Sequence, residues 1–93
     1  MAIQARLTIA GRVQGVGYRD WAVTTGRRLG LSGWVRNRLD GTVEALLVGK
    51  DTAVGAMIEA CRQGPAMARV DTIDVEPLDL DVLPEGFRVR PTA

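Results

Sequence analysis

The feature that most constrains the fold of this chain is a change of hydrophobic period across a glycine-rich stretch, Gly11–Arg19. Apolar and polar residues alternate over residues 3–10, which predicts a half-buried β-strand. From Tyr18 to Leu29 the apolar residues recur at helical spacing, and Gly30 is a typical helix stop. The sequence therefore predicts a strand joined to a helix by a short loop that contains three glycines.

The rest of the chain continues this alternation of element types. The predicted elements are strands at 33–38 and 42–48, which form a hairpin around Asp40-Gly41, a helix at 51–63, a strand at 68–75 with a bulge near Val70, an acidic loop at 76–85 and a short last strand at 87–90. This order predicts an α+β fold of the ferredoxin-like split βαβ type. The sandwich has the order βαββαβ with a short fifth C-terminal strand, and two helices lie on one face of a mostly antiparallel sheet.

Composition limits the classes of function. With 93 residues, of which 46% are hydrophobic, the chain is expected to form a single domain over residues 1–93. It contains one cysteine and no histidine, so disulfides, histidine-assisted nucleophiles and ordinary zinc sites are nearly excluded. No segment resembles a signal peptide or a membrane span. We expect a cytoplasmic monomer.

The glycine-rich stretch has the chemistry of an anion site. Glycines let the backbone approach a ligand closely, and consecutive N–H groups at a helix start form a positive concavity. Arg19 adds a planar cation that can hold two oxygens of a phosphate. Residues 1–50, which include this stretch, carry eight Lys or Arg and three Asp or Glu, whereas residues 51–93 carry four and eight. A simple strand-to-helix turn would nevertheless explain the glycines equally well.

A second polar residue is predicted to lie near this stretch. A right-handed crossover makes the first two strands parallel, with the third strand between them. The glycine-rich loop follows the first strand and Asn37 ends the second, so both should meet at one edge of the sheet. The Asn37 side chain offers one acceptor and two donors, which suffice to orient a water molecule.

These residues lie in two motifs, GRVQGVGYR at 11–19 and GWVRNRLDGTVE at 33–44, which resemble those of the acylphosphatases. The resemblance continues more weakly through GPAMARVD at 64–71 and FRVR at 87–90. It implies hydrolysis of the carboxyl–phosphate bond of acyl phosphates without metal or cofactor. By resemblance, Arg19 binds the phosphoryl group and Asn37 positions the attacking water. The implied phosphate-binding loop consists of Gln14, Gly15, Val16, Gly17, Tyr18 and Arg19. Gly17 departs from the pattern, because many members have a larger residue there.

The implied chemistry agrees with the residues present. A carboxylate leaving group is stable near neutral pH, so no general acid is needed. Phosphoryl transfer then depends on positioning and electrostatic stabilisation, and the substrate's own oxygens can take the proton. Inorganic phosphate is the expected product and inhibitor. Two alternatives stay open. One is an anion-binding or regulatory module without turnover; the other, less favoured because the strands have few aromatics, is an RNA-binding domain.

Overall fold

A computed structural model describes all residues from Met1 to Ala93, and its elements follow the predicted order. They are β1 (Ala2–Arg12), α1 (Tyr18–Arg28), β2 (Ser32–Asn37), β3 (Val43–Lys50), α2 (Asp51–Gln63), β4 (Arg69–Pro77) and β5 (Phe87–Val89). The five strands form one sheet in the order β4-β1-β3-β2-β5. Only β2 and β5 pair in parallel. The predicted βαββαβ architecture with a short fifth strand is confirmed.

The core lies between one face of the sheet and both helices. Alternate strand residues point to this face, as the strand period requires. Its fully buried strand side chains include Leu7, Ile9, Val35, Val43 and Leu47, and the helices add Tyr18 and Ala22 from α1 and Val54, Met57 and Cys61 from α2. The opposite face carries no helix and is called the open face below. Neither helix is long and apolar enough to cross a membrane.

The strand register brings the ends of β1 and β2 together. Val43 of β3 pairs with Ile9 of β1 on one side and with Asn37 of β2 on the other. Because β3 is antiparallel to both neighbours, β1 and β2 run in the same direction. The loop after β1 and the last residue of β2 therefore leave the sheet at one edge, as the sequence predicts.

Two local features of the structure account for irregularities in the sequence pattern. Gly26 lies inside α1, and a Cβ there would be 3.0 Å from the Phe87 ring, so glycine allows the helix to approach β5 closely. On the other edge of the sheet, the pairing of β1 with β4 shifts between Ala10 and Gly11, which leaves Asp71 as an extra residue. This shift confirms the bulge predicted near Val70.

The segment 78–86 connects the two edges of the sheet across the open face, and we call it the strap. Gln4 fixes its beginning, since its side chain accepts a hydrogen bond from the Leu80 N–H at 2.6 Å. At its end the Gly33 N–H donates to the Gly86 carbonyl oxygen at 2.8 Å. Under the strap Trp34 lies within 4.8 Å of the Arg36 guanidinium and 5.0 Å of that of Arg90.

Candidate active site

The loop between β1 and α1 presents a run of free backbone donors. None of the backbone N–H groups from Gln14 to Asp20 donates a hydrogen bond to another group of the protein. Gly15 and Gly17 adopt left-handed φ values of 72° and 79°. A Cβ at either position would meet open space, so the backbone conformation itself favours glycine there. Free N–H groups beside the first turn of α1 form an anion-binding concavity.

A small pocket of about 80 Å³ joins this loop to the end of β2. It is lined by Val13, Gly15, Gly17, Tyr18, Arg19, Asp20 and Asn37. Arg19 is half-buried and takes part in no ion pair of the protein, so its guanidinium is free to bind an anion. The structure thus brings Arg19 and Asn37 together, although they are far apart in the sequence. A larger cavity of about 540 Å³ lies elsewhere, on the open face.

Asn37 carries an unpaired polar atom. Its side-chain Oδ1 is buried and has no hydrogen-bond partner. The backbone of Asn37 is held firmly, because it pairs with Val43 of β3 and its carbonyl oxygen accepts a hydrogen bond from the Ala93 N–H at 3.1 Å. Buried acceptors without a partner are uncommon and call for an explanation, such as a bound water or a ligand. This acceptor belongs to one of the residues that line the pocket.

Two of the predicted loop residues direct their side chains elsewhere. The Gln14 amide donates to the carbonyl oxygens of Arg38 and Thr42, at 2.8 and 2.9 Å. It therefore ties the loop to the turn between β2 and β3. Val16 packs against the core. Neither side chain lines the pocket, and only their backbone N–H groups remain available to an anion.

Two lining residues, Val13 and Asp20, are not among the predicted phosphate-binding residues. Val13 is buried just after β1, whereas Asp20 is exposed in the first turn of α1. Val13 gives no sequence signal, because an apolar residue after a strand is ordinary. Asp20 has a clearer origin, since acids are favoured near the positive end of a helix. Asp20 thus adds an acidic side chain beside Arg19 in the lining of the pocket.

The Tyr18 side chain anchors the loop to the second helix. Its ring is buried, and its hydroxyl donates a hydrogen bond to the Cys61 carbonyl oxygen at 2.6 Å. Burial raises the pKa of the Tyr18 phenol far above its usual value, and it raises the pKa of the Cys61 thiol to about 11. Both groups are therefore neutral near pH 7, and neither is a nucleophile or a general base. Cys61 lies in the core, as its place on the helix predicts.

The turn that Gln14 holds is ordered by its own side chains. Asp40 accepts hydrogen bonds from the Thr42 N–H at 3.0 Å and from the Thr42 hydroxyl at 2.7 Å. These two hydrogen bonds lower the pKa of the Asp40 carboxyl, and the bond from the backbone N–H has the larger effect.

No group of three or more His, Cys, Asp or Glu residues is arranged to hold a metal ion.

The fold is that of a ferredoxin-like α+β domain, and its small pocket joins a loop with free backbone N–H groups to Arg19 and Asn37. The chain belongs to the acylphosphatase family, because the family model described as Acylphosphatase matches residues 5–89. It is 56% identical over 84 residues to an acylphosphatase of Rhodospirillum rubrum, which covers 90% of this chain and 91% of that protein.

Solved acylphosphatase structures agree with this assignment. The chain superposes on that of Bacillus subtilis with a TM-score of 0.90 and 35% identity, covering 95% of this chain and 98% of the other. The structure of the Coxiella burnetii acylphosphatase gives a TM-score of 0.90 and 30% identity, with coverages of 96% and 93%. These comparisons confirm the resemblance, the ferredoxin-like fold and the acylphosphatase activity predicted from the sequence.

Proposed function

We propose that the chain hydrolyses acyl phosphates by direct attack of a water that Asn37 orients on a phosphoryl group bound by Arg19 and the 14–19 backbone. The observation that supports this most strongly is the buried, unpaired Oδ1 of Asn37, which belongs to the same small pocket as Arg19. The products are a carboxylate and inorganic phosphate.

The loop and Arg19 share the negative charge of the phosphoryl group. The N–H groups between Gln14 and Arg19 have no partner within the protein, so they are ready to bind oxygens without rearrangement. Preorganised donors of this kind stabilise the negative charge that develops on the phosphoryl oxygens in the transition state. Arg19 contributes a bidentate, charge-assisted contact. Gln14 and Tyr18 act indirectly, since their side chains fix the loop to the β2–β3 turn and to α2.

Asn37 positions the water molecule that acts as the nucleophile. A water molecule that donates one proton to Oδ1 would satisfy this buried acceptor and would stand beside the bound phosphoryl group. Because the backbone of Asn37 is held by β3 and by Ala93, the water is held in one place. Correct placement of two reactants lowers the entropic part of the barrier.

The remaining proton transfers need no protein acid or base. The leaving carboxylate is stable at neutral pH, so the P–O bond can break without protonation of the leaving oxygen. The attacking water loses its proton to an oxygen of the phosphoryl group. Tyr18 and Cys61 stay neutral and do not titrate near pH 7. We further propose that residues 1–93 act as one domain, as a cytoplasmic monomer that binds neither nucleic acid nor membrane.

Benzoyl phosphate hydrolysis tests this mechanism. The chain should hydrolyse it in the presence of EDTA, and inorganic phosphate should inhibit competitively. Arg19→Gln should lose both turnover and phosphate binding. Arg28→Gln is a matched control, because Arg28 is an exposed arginine at the other end of the same helix.

Three outcomes would contradict the mechanism. Full turnover by Arg19→Gln would exclude the assigned role of this residue. Phosphate binding by the unmodified chain without any turnover would favour a non-catalytic anion-binding module. Salt-dependent retention of single-stranded RNA would point to the RNA-binding alternative.

A further inference from the structure

The open face contains a cavity that the hydrolytic mechanism does not use. It measures about 540 Å³ and lies between the strap and the sheet. Its lining residues are Gly33, Trp34, Leu46, Leu80, Val82, Leu83, Pro84, Glu85, Arg88 and Arg90. None of them lines the 80 Å³ pocket. A volume of this size is within the range of small-molecule sites, which is roughly 300–1,000 Å³.

The strap leaves this space open although four of the side chains with which it lines the cavity are apolar: Leu80, Val82, Leu83 and Pro84. Val82 is 85% exposed and Leu83 49% exposed, while Leu46 is buried on the sheet below. Residues 81–84 make no hydrogen bond with the rest of the protein, so the strap is held only near its ends. A ligand with an apolar body would remove these side chains from water, which is favourable.

The same cavity has a cationic side. Arg88 of β5 and Arg90, which directly follows β5, both line the cavity on the open face, and neither forms an ion pair within the protein. Arg90 stacks over the Trp34 ring, which holds its guanidinium in place. Arg88 donates only one long hydrogen bond, to the Glu85 carbonyl oxygen at 3.3 Å. Glu85 is the one acidic residue of the lining.

We propose that this cavity binds a small carboxylate with an apolar body, such as a medium-chain fatty acid. The carboxylate pairs with the guanidinium groups of Arg90 and Arg88, and the hydrocarbon lies against Trp34, Leu46 and the strap. A planar guanidinium matches a carboxylate in a two-pronged contact. The apolar lining favours this ligand over inorganic phosphate, because phosphate has no apolar surface that could be buried against the lining. The proposal is independent of the hydrolytic mechanism, because the two sites share no residue.

The two tryptophans of the chain provide the assay. Trp34 lines the cavity, whereas Trp21 lies on α1 and packs edge-on against the Tyr18 ring. In a ¹⁵N-labelled sample each indole N–H gives one NMR signal, and Trp34→Phe identifies which is which. Octanoate should shift the Trp34 signal in a saturable way and leave the Trp21 signal unchanged. Octanol and acetate should each bind at least about tenfold more weakly, because each lacks one half of the recognised chemistry.

Substitutions of charged residues should either weaken or strengthen the contact between the octanoate carboxylate and the two arginines. Arg90→Gln should weaken octanoate binding about tenfold or more, since it removes a charge-assisted hydrogen bond. Glu85→Gln should tighten it, since it removes the like charge. Arg28→Gln on α1 is the control and should change nothing. Saturating inorganic phosphate should leave the octanoate affinity unchanged, because phosphate binds at the other pocket.

Several results would overturn the proposal. One is the absence of a saturable Trp34 shift. A second is equal binding of octanol, which would show a purely apolar contact. A third is loss of the octanoate effect in saturating phosphate, which would place octanoate at the hydrolytic site. A fourth is an octanoate affinity that neither Arg90→Gln nor Glu85→Gln changes.

Discussion

Replacement of Asn37 by alanine should separate activity from stability. The side chain holds a buried acceptor with no partner in the protein, so the folded state bears its desolvation cost, which is about 1–3 kcal/mol. Asn37→Ala removes that desolvation cost. It loses few packing contacts, because only the small amide group at the end of the side chain is removed. The free energy of unfolding should therefore stay within about 1 kcal/mol of the original value or rise. An asparagine with a structural role would instead show a clear loss.

The same substitution should abolish most of the turnover. Loss of one preorganised stabilising or positioning group typically lowers kcat by about 10²–10³, which corresponds to roughly 2.7–4 kcal/mol of activation free energy. Because Arg19 and the loop N–H groups remain, the inhibition constant of inorganic phosphate should change little.

The measurements are benzoyl phosphate kinetics, phosphate inhibition and urea unfolding. Gln63→Ala, which removes an exposed amide at the end of α2, is the control. A kcat that stayed high would refute the assigned role of Asn37, as would loss of phosphate binding. A fall in the unfolding free energy of more than about 2 kcal/mol would show a structural role instead.

Other substitutions test the parts of the site in turn. Arg19→Gln should lower kcat/KM by about 10²–10³ and raise the phosphate inhibition constant, and unchanged inhibition would refute its binding role. Gln14→Ala should lower the unfolding free energy by about 1–3 kcal/mol, because two turn carbonyls lose a donor, and it should reduce kcat as well; unchanged stability in urea would contradict this. Tyr18→Phe should cost about 1–2 kcal/mol in urea unfolding yet keep substantial activity, and complete inactivation would contradict an anchoring role. Burial raises the pKa of the Cys61 thiol to about 11, whereas the unfolded thiol ionises from about pH 8.5. The contribution of Cys61 to the free energy of unfolding should therefore be full below about pH 8.5 and should fall as the pH rises toward about 11. In urea unfolding measured against pH, Cys61→Ala should reduce this decrease.

The order of elements was predictable because local signals mark each boundary. Strand alternation ends where the glycines begin, helical spacing starts at Tyr18, and Asp40-Gly41 marks a tight turn. Handedness then places β3 between β1 and β2 and puts Arg19 near Asn37. The prediction that these two residues share a pocket needed only topology, because the loop that leads from β1 to Arg19 and the last residue of β2, Asn37, lie at the same edge of the sheet.

Side-chain directions within the loop could not be predicted in this way. The positive φ values of Gly15 and Gly17 turn the backbone, and no periodicity tells where a side chain between such glycines points. Gln14 reaches the carbonyl oxygens of Arg38 and Thr42, and those acceptors exist only once the β2–β3 turn has formed. The roles of such residues depend on contacts between segments that are distant in sequence.

The path of the strap could not be predicted from the local sequence pattern either. Residues 76–85 are acidic and contain prolines, which predicts a loop but not its course. Its course follows from the sheet order, since β4 and β5 lie at opposite edges and the connection must cross a face. The helices occupy one face, so the strap takes the other, and Trp34 is covered on a face where an exposed ring would otherwise be expected.

The size of the hydrolytic pocket limits what the site can recognise. Its volume of about 80 Å³ is far below the roughly 300–1,000 Å³ of sites that enclose a drug-sized ligand. Most of its donors are backbone N–H groups, which read oxygen positions and charge rather than the rest of a substrate. In the proposed mechanism the acyl group extends past the exposed side of the loop, at Gly15 and Gly17, where a Cβ would meet open space. Because position 17 is glycine, no side chain stands at this side of the loop.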